Sequence, residues 1–333
     1  IEGENGTALA RWRMRDIRLV ADAGGDGMVR LRCGLEGNQR LTLADTGILV
    51  PLEVRCPNLH RTTPGWRTTI RSTVLWATAA IVSLLLLFKV VIPEMAAQFT
   101  AVVPQSWEQR IGERLANQIV VTLSRLENSS AAEVLCRGGS AQRALDGLAE
   151  RLTREVVPAP QINLRIVDLE MPNALALPGG QILIFRGLLE FVEDGDELSG
   201  VLAHEIGHVI LRHPLEVAIK GASVSILASL VVGDITGGAA IAGVAGALLS
   251  AAYGQRAERD ADALGIELLN DAGLDSRKLA DLFERFARKA HELEGALSLL
   301  SSHPLSQQRA QTARALANAG RPAFDPETWQ AIH

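Results

Sequence analysis

His204, Glu205 and His208 are the residues whose types and spacing can do chemistry. They lie in an apolar run, residues 197–210, that reads as a helix, with the two histidines four positions apart. Residues at i and i+4 share a helix face, so both imidazoles can reach one ion. Zinc suits neutral imidazole, and a catalytic zinc keeps three protein ligands plus an exchangeable water. Glu205 is placed to take that water's proton, which is the mechanical content of H-E-x-x-H.

Two histidines need a third ligand, and residues 255–265 offer one. Glu258 and Asp262 are again four apart, and glutamate is the usual third partner of a two-histidine zinc. Glu258 is therefore the expected third ligand. Asp262, one turn on, can accept the remaining ring N–H of a ligating histidine and fix its tautomer. Asp260 points elsewhere and reads as a surface charge. His213, five residues after His208, falls off the ligand face and is not expected to bind the ion.

These residues need elements to hold them. Asp194 or Asp196 is available to cap the helix carrying the two histidines, and His213-Pro214 closes it. Residues 162–169 alternate as a strand and 181–185 read as another. Between them Pro178-Gly179-Gly180 makes a tight turn, so Asn173, Ala174, Leu175 and Ala176 form a hairpin with 181–184. A strand at a sheet edge beside a cleft can bind an extended peptide through main-chain hydrogen bonds. Upstream, Ile111, Leu115, Ile119 and Leu123 keep one helical face and residues 141–152 another. Arg137-Gly138-Gly139 breaks the pattern between them, with Ser140 able to cap the second helix. Residues 221–253, rich in Ala, Gly, Val and Leu, read as a pair of short helices, buried or lying against a membrane. Asp234 and Gly237-Gly238 argue against a second crossing.

Residues 73–88 are uncharged and apolar, and Val90-Val91-Ile92 extends them past Lys89. Residues 70–92 would span about 34 Å as a helix, enough for a bilayer core, so this segment is the expected contact with membrane lipid. Arg55, Arg61, Arg67 and Arg71 precede its uncharged stretch 73–88, whereas Lys89, Glu94 and Glu108 follow that stretch. The positive-inside bias then puts the N-terminus in the cytoplasm and the catalytic part outside a bacterial inner membrane, in the periplasm, on a single-pass chain. Residues 1–65 alternate in short runs (12–19, 28–33, 40–43 and 48–52) between Gly, Asp and Asn turns such as 24–27, and read as a small β-rich module. The chain begins at Ile1 and its first residues show no signal-peptide pattern. Cys33, Cys56 and Cys136 are too scattered for a cysteine-based zinc site or a disulfide scaffold. The 333 residues carry a net charge of -5 with no Lys/Arg-rich run, which argues against nucleic acid as a partner.

Four motifs carry a family resemblance: Asn173-Ala174-Leu175-Ala176-Leu177-Pro178-Gly179-Gly180, His204-Glu205-Ile206-Gly207-His208, Glu258-Arg259-Asp260-Ala261-Asp262 and His303-Pro304-Leu305-Ser306-Gln307-Gln308-Arg309. In that order they resemble the zinc metalloproteases related to HtpX and the CAAX prenyl endopeptidase, over residues 105–320. The layout is closest to single-span or periplasmic BepA-like members. The resemblance implies a gluzincin fold with one zinc per subunit and the hairpin as an edge strand over the cleft. It also implies that His303 lies near the metal, where it can occupy or gate the open position, and that Arg309 stabilises the oxyanion. The module before the membrane has no counterpart in that family's core.

The expected fold class is α+β: a small β-rich module (1–65), one transmembrane helix (70–92), and a mainly helical zincin-type domain with a small edge sheet (105–320). The expected function is membrane-anchored zinc endopeptidase, cleaving extended segments of envelope proteins, in protein quality control. The alternative is a chaperone or assembly factor whose metalloprotease site is gated or latent.

Overall fold

The computed structural model describes residues 1, 5, 7, 8, 10–20, 27–34, 39–61, 66–126, 129–136, 139–232, 237–250, 253–289, 303 and 307–332. The turn at 24–26, the break at 137–138, Asp234 and residues 304–306 lie outside them. The chain is mostly helical with two small sheets, an α+β protein. It divides into two compact units, Ile1–Leu86 and Leu87–His333.

In the first unit β1 (Ile17–Leu19), β2 (Val29–Cys33) and β3 (Arg40–Leu43) form an antiparallel sheet in sequence order. Ile17, Val29 and Leu31 turn inward against Cys56 and Leu59. The run expected as a strand at 48–52 is instead part of helix α1 (Leu49–Arg55). Pro51 sits in its first turn, where a missing N–H costs nothing, whereas in a strand it would remove a ladder bond. Helix α2 (Trp66–Leu86) ends the unit.

Ile70–Val102 is the helix long and apolar enough to cross a membrane among the described residues, at 33 residues, and its most apolar stretch is only 6% buried. It runs on past Ile92 through α3 (Ile92–Val102).

The second unit is three-layered. Helix α4 (Gln105–Leu126) and the single turn α5 (Ala131–Val134) lead to strand β4 (Leu135–Cys136), and α6 (Gly139–Leu152) follows. Ser140 lies inside α6 and donates to Ala331 O rather than capping. Strands β5 (Asn163–Val167), β6 (Ala174–Ala176) and β7 (Gln181–Phe185) complete a sheet of order β4-β5-β7-β6, which leaves β6 at an edge. Alternate residues of these strands serve two cores: Ile166, Ala176, Ile182 and Ile184 on one face, Val167, Leu175, Leu183 and Phe185 on the other. Burial on both faces is why the strands read as nearly unbroken apolar runs.

The remaining helices are α7 (Arg186–Phe191), α8 (Gly195–Ile210), α9 (His213–Val232), α10 (Gly237–Leu249), α11 (Gln255–Asp271), α12 (Arg277–Lys289), α13 (Gln307–Leu316) and α14 (Pro326–Ile332). α8 and α6 cover one sheet face, and α4 with α9 and α10 covers the other. The pair expected over 221–253 is α9 and α10.

Candidate metal centre

α8 begins at Asp194, whose carboxylate accepts from the backbone N–H groups of Asp196 and Glu197. That satisfies two of the donors a helix start leaves unpaired. The helix is buried almost throughout, with Glu205 and His208 fully so. α11 crosses it closely. A Cβ on Gly207 would lie 2.9 Å from Ala261 O, and one on Gly265 3.0 Å from His204 N. Glycine at both crossing points lets the two backbones approach until side chains of both helices meet.

They meet as a cluster: His204, His208, Glu258 and His303 each offer one donor atom, and the four atoms lie within 4.8 Å of one another. His204 Nε2 is 3.1 Å from His208 Nε2 and 3.2 Å from His303 Nδ1. His303 Nδ1 is 3.0 Å from Glu258 Oε1, and the remaining contacts, His204 Nε2 to Glu258 Oε2 and His208 Nε2 to Glu258 Oε1, are both 3.6 Å. Donors about 2.0–2.1 Å from a tetrahedral ion stand about 3.3–3.4 Å apart. The separations straddle that edge, and three imidazole nitrogens with a carboxylate form the donor set zinc prefers. The residues fit zinc.

The electrostatics agree. Burial, with the nearby imidazoles, pushes His208 well below its ordinary pKa, which keeps it in the neutral form a metal binds. Burial opposes charge on Glu258, yet the bond to His303 and the charges of His204 and Arg309 hold its carboxyl below the usual range. Asp262 Oδ1 lies 2.9 Å from His204 Nδ1, the ring nitrogen away from the cluster.

Arg309 is buried, and its placement differs from the oxyanion expectation. Nε and Nη2 donate to the two oxygens of Asp262, at 2.7 and 2.8 Å, and Nη1 pairs with Glu258 Oε2 at 2.7 Å. The guanidinium is committed to two acidic side chains of α11.

Glu205 Oε2 accepts the backbone N–H of Ala176 at 2.8 Å, while Oε1 stands 3.4 Å from His303 Nε2. The first contact follows from the register of β6. Leu177 N and Phe185 N bond to Gln181 O and Asn173 O, so the odd-numbered residues face β7. Ala174 and Ala176 therefore turn their main-chain groups to the open edge. Asn173 is buried, and its Oδ1 has no hydrogen-bond partner among the described residues.

Two neighbours of the cluster escaped the sequence. His213 Nδ1 is 2.9 Å from His208 Nδ1, so it meets the outer nitrogen of that ring. Tyr253 stacks on His208 with ring centroids 4.1 Å apart, and its buried hydroxyl has no partner among the described residues. His213 opens α9 rather than merely closing α8, with Pro214 in the first turn.

Comparison with known proteins agrees with this architecture. Residues 139–317 match the profile of Peptidase family M48. The chain is 30% identical over 168 residues to a beta-barrel assembly-enhancing protease of Yersinia pestis, covering 47% of this chain and 35% of the relative. It is 29% identical over 204 residues to the metalloprotease YcaL of Escherichia coli, covering 59% and 77%. Over 149 residues it is 31% identical to the mitochondrial metalloendopeptidase OMA1 of Schizosaccharomyces pombe, covering 44% of each. The chain thus spans from about a third to three quarters of the length of these relatives.

Proposed function

Because the chain belongs to peptidase family M48, we propose that it is a membrane-anchored zinc endopeptidase that cleaves extended segments of proteins in a bacterial envelope. The observation that carries this reading is the convergence of four buried donor atoms within 4.8 Å beside a buried glutamate. In this proposal His204, His208 and Glu258 are the resident ligands of one zinc ion. Bound there, zinc would supply a Lewis acid that polarises a carbonyl and acidifies water.

Glu205 takes the proton of the attacking water and returns it to the leaving amine. An extended substrate pairs with the outward N–H and C=O of Ala174 and the C=O of Ala176, with Asn173 and Leu175 completing the strand. That brings its backbone alongside the carboxylate which Ala176 N already orients. Asp262 holds the His204 ring through its outer nitrogen, and Arg309 holds Asp262 and Glu258 in place. His303, near both Glu258 and Glu205, closes the site and must withdraw before substrate enters.

Residues 70–92 anchor the chain in the inner membrane, with the module of residues 1–65 cytoplasmic and the domain of residues 105–320 periplasmic. That location, with the family, supports a role in protein quality control. The closed arrangement of His303 also supports a second reading, a chaperone or assembly factor with a gated site.

Glu205→Gln separates the two. The variant is expected to keep one zinc per chain by elemental analysis and to lose cleavage of an unfolded protein by at least about a hundredfold. Cleavage at the wild-type rate would sink the mechanism. Full complementation of a deletion strain by Glu205→Gln would favour the binding role.

A further inference from the structure

Arg212 has a backbone that its side chain does not favour. Its φ is +58°, in the left-handed region where a helix end usually places glycine. The residue stands just beyond α8, whose last turn carries His208, and just before His213.

The guanidinium accounts for an arginine at this position. Nη1 donates to Thr100 O at 2.5 Å and Nη2 to Val103 O at 2.8 Å. These carbonyls belong to the C-terminal end of α3, where a helix leaves acceptors unpaired and its dipole favours a cation. Nε and Nη2 also reach Glu108 Oε2, at 2.9 and 2.6 Å. Glu108 is buried, and its other oxygen accepts Gly179 N at 3.2 Å.

Gly179 belongs to the turn joining β6 to β7 and has φ +69°. That turn is seated on α4: a Cβ on Gly112 would lie 1.7 Å from Pro178 O. One arginine and one glutamate therefore connect three things. They are the end of the membrane helix, the end of the helix bearing His204 and His208, and the turn behind the edge strand that holds Glu205 through Ala176 N.

We infer that Glu108 and Arg212 form a strut through which the anchor helix sets the position of the edge strand and the active-site helix, so that the seating of the anchor in the bilayer governs substrate docking. They are positioning residues, remote from the reacting atoms. The inference rests on the endopeptidase reading and on the anchor. The helix has 33 residues, about 50 Å, whereas a hydrocarbon core is about 30 Å. How far its end projects, and at what tilt, thus depends on bilayer thickness, and Arg212 grips that end.

The test uses the full chain in phosphatidylcholine vesicles of short and of long acyl chain, with a fluorescent unfolded protein as substrate. Wild type is expected to show a KM that differs at least threefold between the two bilayers. Arg212→Gly, which suits the backbone and removes the fork, is expected to retain one zinc per chain. Its KM should rise at least fivefold, with a smaller change in kcat, and should no longer depend on the bilayer. Glu108→Gln should do the same more weakly. A merely structural turn would tolerate glycine and leave the bilayer dependence intact.

Hydrogen exchange supplies a readout that needs no catalysis: amides of residues 174–180 should exchange faster in Arg212→Gly and differ between bilayers in wild type. Unchanged exchange in those amides, or a KM for Arg212→Gly within twofold of wild type, overturns the strut. Loss of all Glu205-dependent cleavage in wild type, with the exchange pattern as expected, would instead overturn the endopeptidase reading. If Arg212→Gly does not hold zinc, Arg212→Lys, which keeps the charge without the fork, undergoes the same two measurements.

Discussion

Asp262 shows how much of the centre depends on a residue that does not itself belong to the donor cluster. It bonds to Arg309 through both oxygens and lies 2.9 Å from the outer nitrogen of His204. Asp262→Asn keeps the shape but removes the charge. Partners of this kind orient and polarise a ligating histidine, and their loss costs about 10- to 100-fold in metal affinity. We expect that drop in zinc competition against a chelating dye; an affinity within twofold of wild type would exclude the orienting role. His204, His208, Glu258 and Asp262 were legible because each pair is spaced by four on one helix, a geometry that sequence specifies. His213 was expected off the ligand face and lies outside the four-donor cluster, but its contact with the outer nitrogen of His208 was not legible, because five-residue spacing gives it only where the helix breaks. The chain leaves α8 at Leu211 and turns through the left-handed Arg212, which brings His213 back against His208. Tyr253 lies before the start of α11, where no periodicity applies. Arg309 was legible as a basic residue near the site, but its acidic partners come from another helix.

At the scale of the element, the start of α8 is held by charge as well as by capping. Asp194 also pairs with Lys278 of α12, at 2.7 Å. Burial opposes ionisation of Asp194, but Lys278 and the N–H groups of Glu197 and Asp196 outweigh it and hold the carboxyl below its ordinary value. A folded-state pKa below the unfolded one contributes stability above the unfolded value and loses it as pH falls through the folded value. The unfolded value is about 3.9, so the loss is confined to pH below about 4. Asp194→Ala should cost about 0.5–2 kcal/mol near neutrality. Asp194→Asn, still a good cap, should cost less and should flatten the acid side of a plot of melting temperature against pH. Equal acid sensitivity in the Asp194→Asn variant and the wild type would show that the charge is not used. The strands and long helices were readable because their apolar periods are set by the faces they bury. The failures fall where one residue's context decides: Pro51 in the first turn of a helix, and the two-residue β4, too short to show alternation.

At the scale of the whole molecule, the proposed single-pass topology is testable with the protein's own cysteines. Cys33 lies in the first unit and Cys136 in the second; Cys136 is exposed, Cys33 partly so, and Cys56 is buried. All three are free thiols. Partial desolvation and the nearby Asp168 raise the Cys136 pKa above its ordinary value, so its thiolate is scarce at neutral pH and labelling belongs at about pH 8.5. Arg55, Arg61, Arg67 and Arg71 before the uncharged stretch 73–88 outnumber Lys89 just after it, so under the proposed topology the positive-inside bias puts residues 1–65 in the cytoplasm. A membrane-impermeant maleimide applied to intact spheroplasts should therefore label a Cys33→Ser/Cys56→Ser protein through Cys136. A Cys56→Ser/Cys136→Ser protein should react only after lysis. The reverse pattern would put the metal centre in the cytoplasm and remove envelope proteins from its reach. Labelling of both proteins in intact spheroplasts would mean that Ile70–Val102 does not cross the bilayer, and the anchor would then have to be sought in the apolar pair α9 and α10.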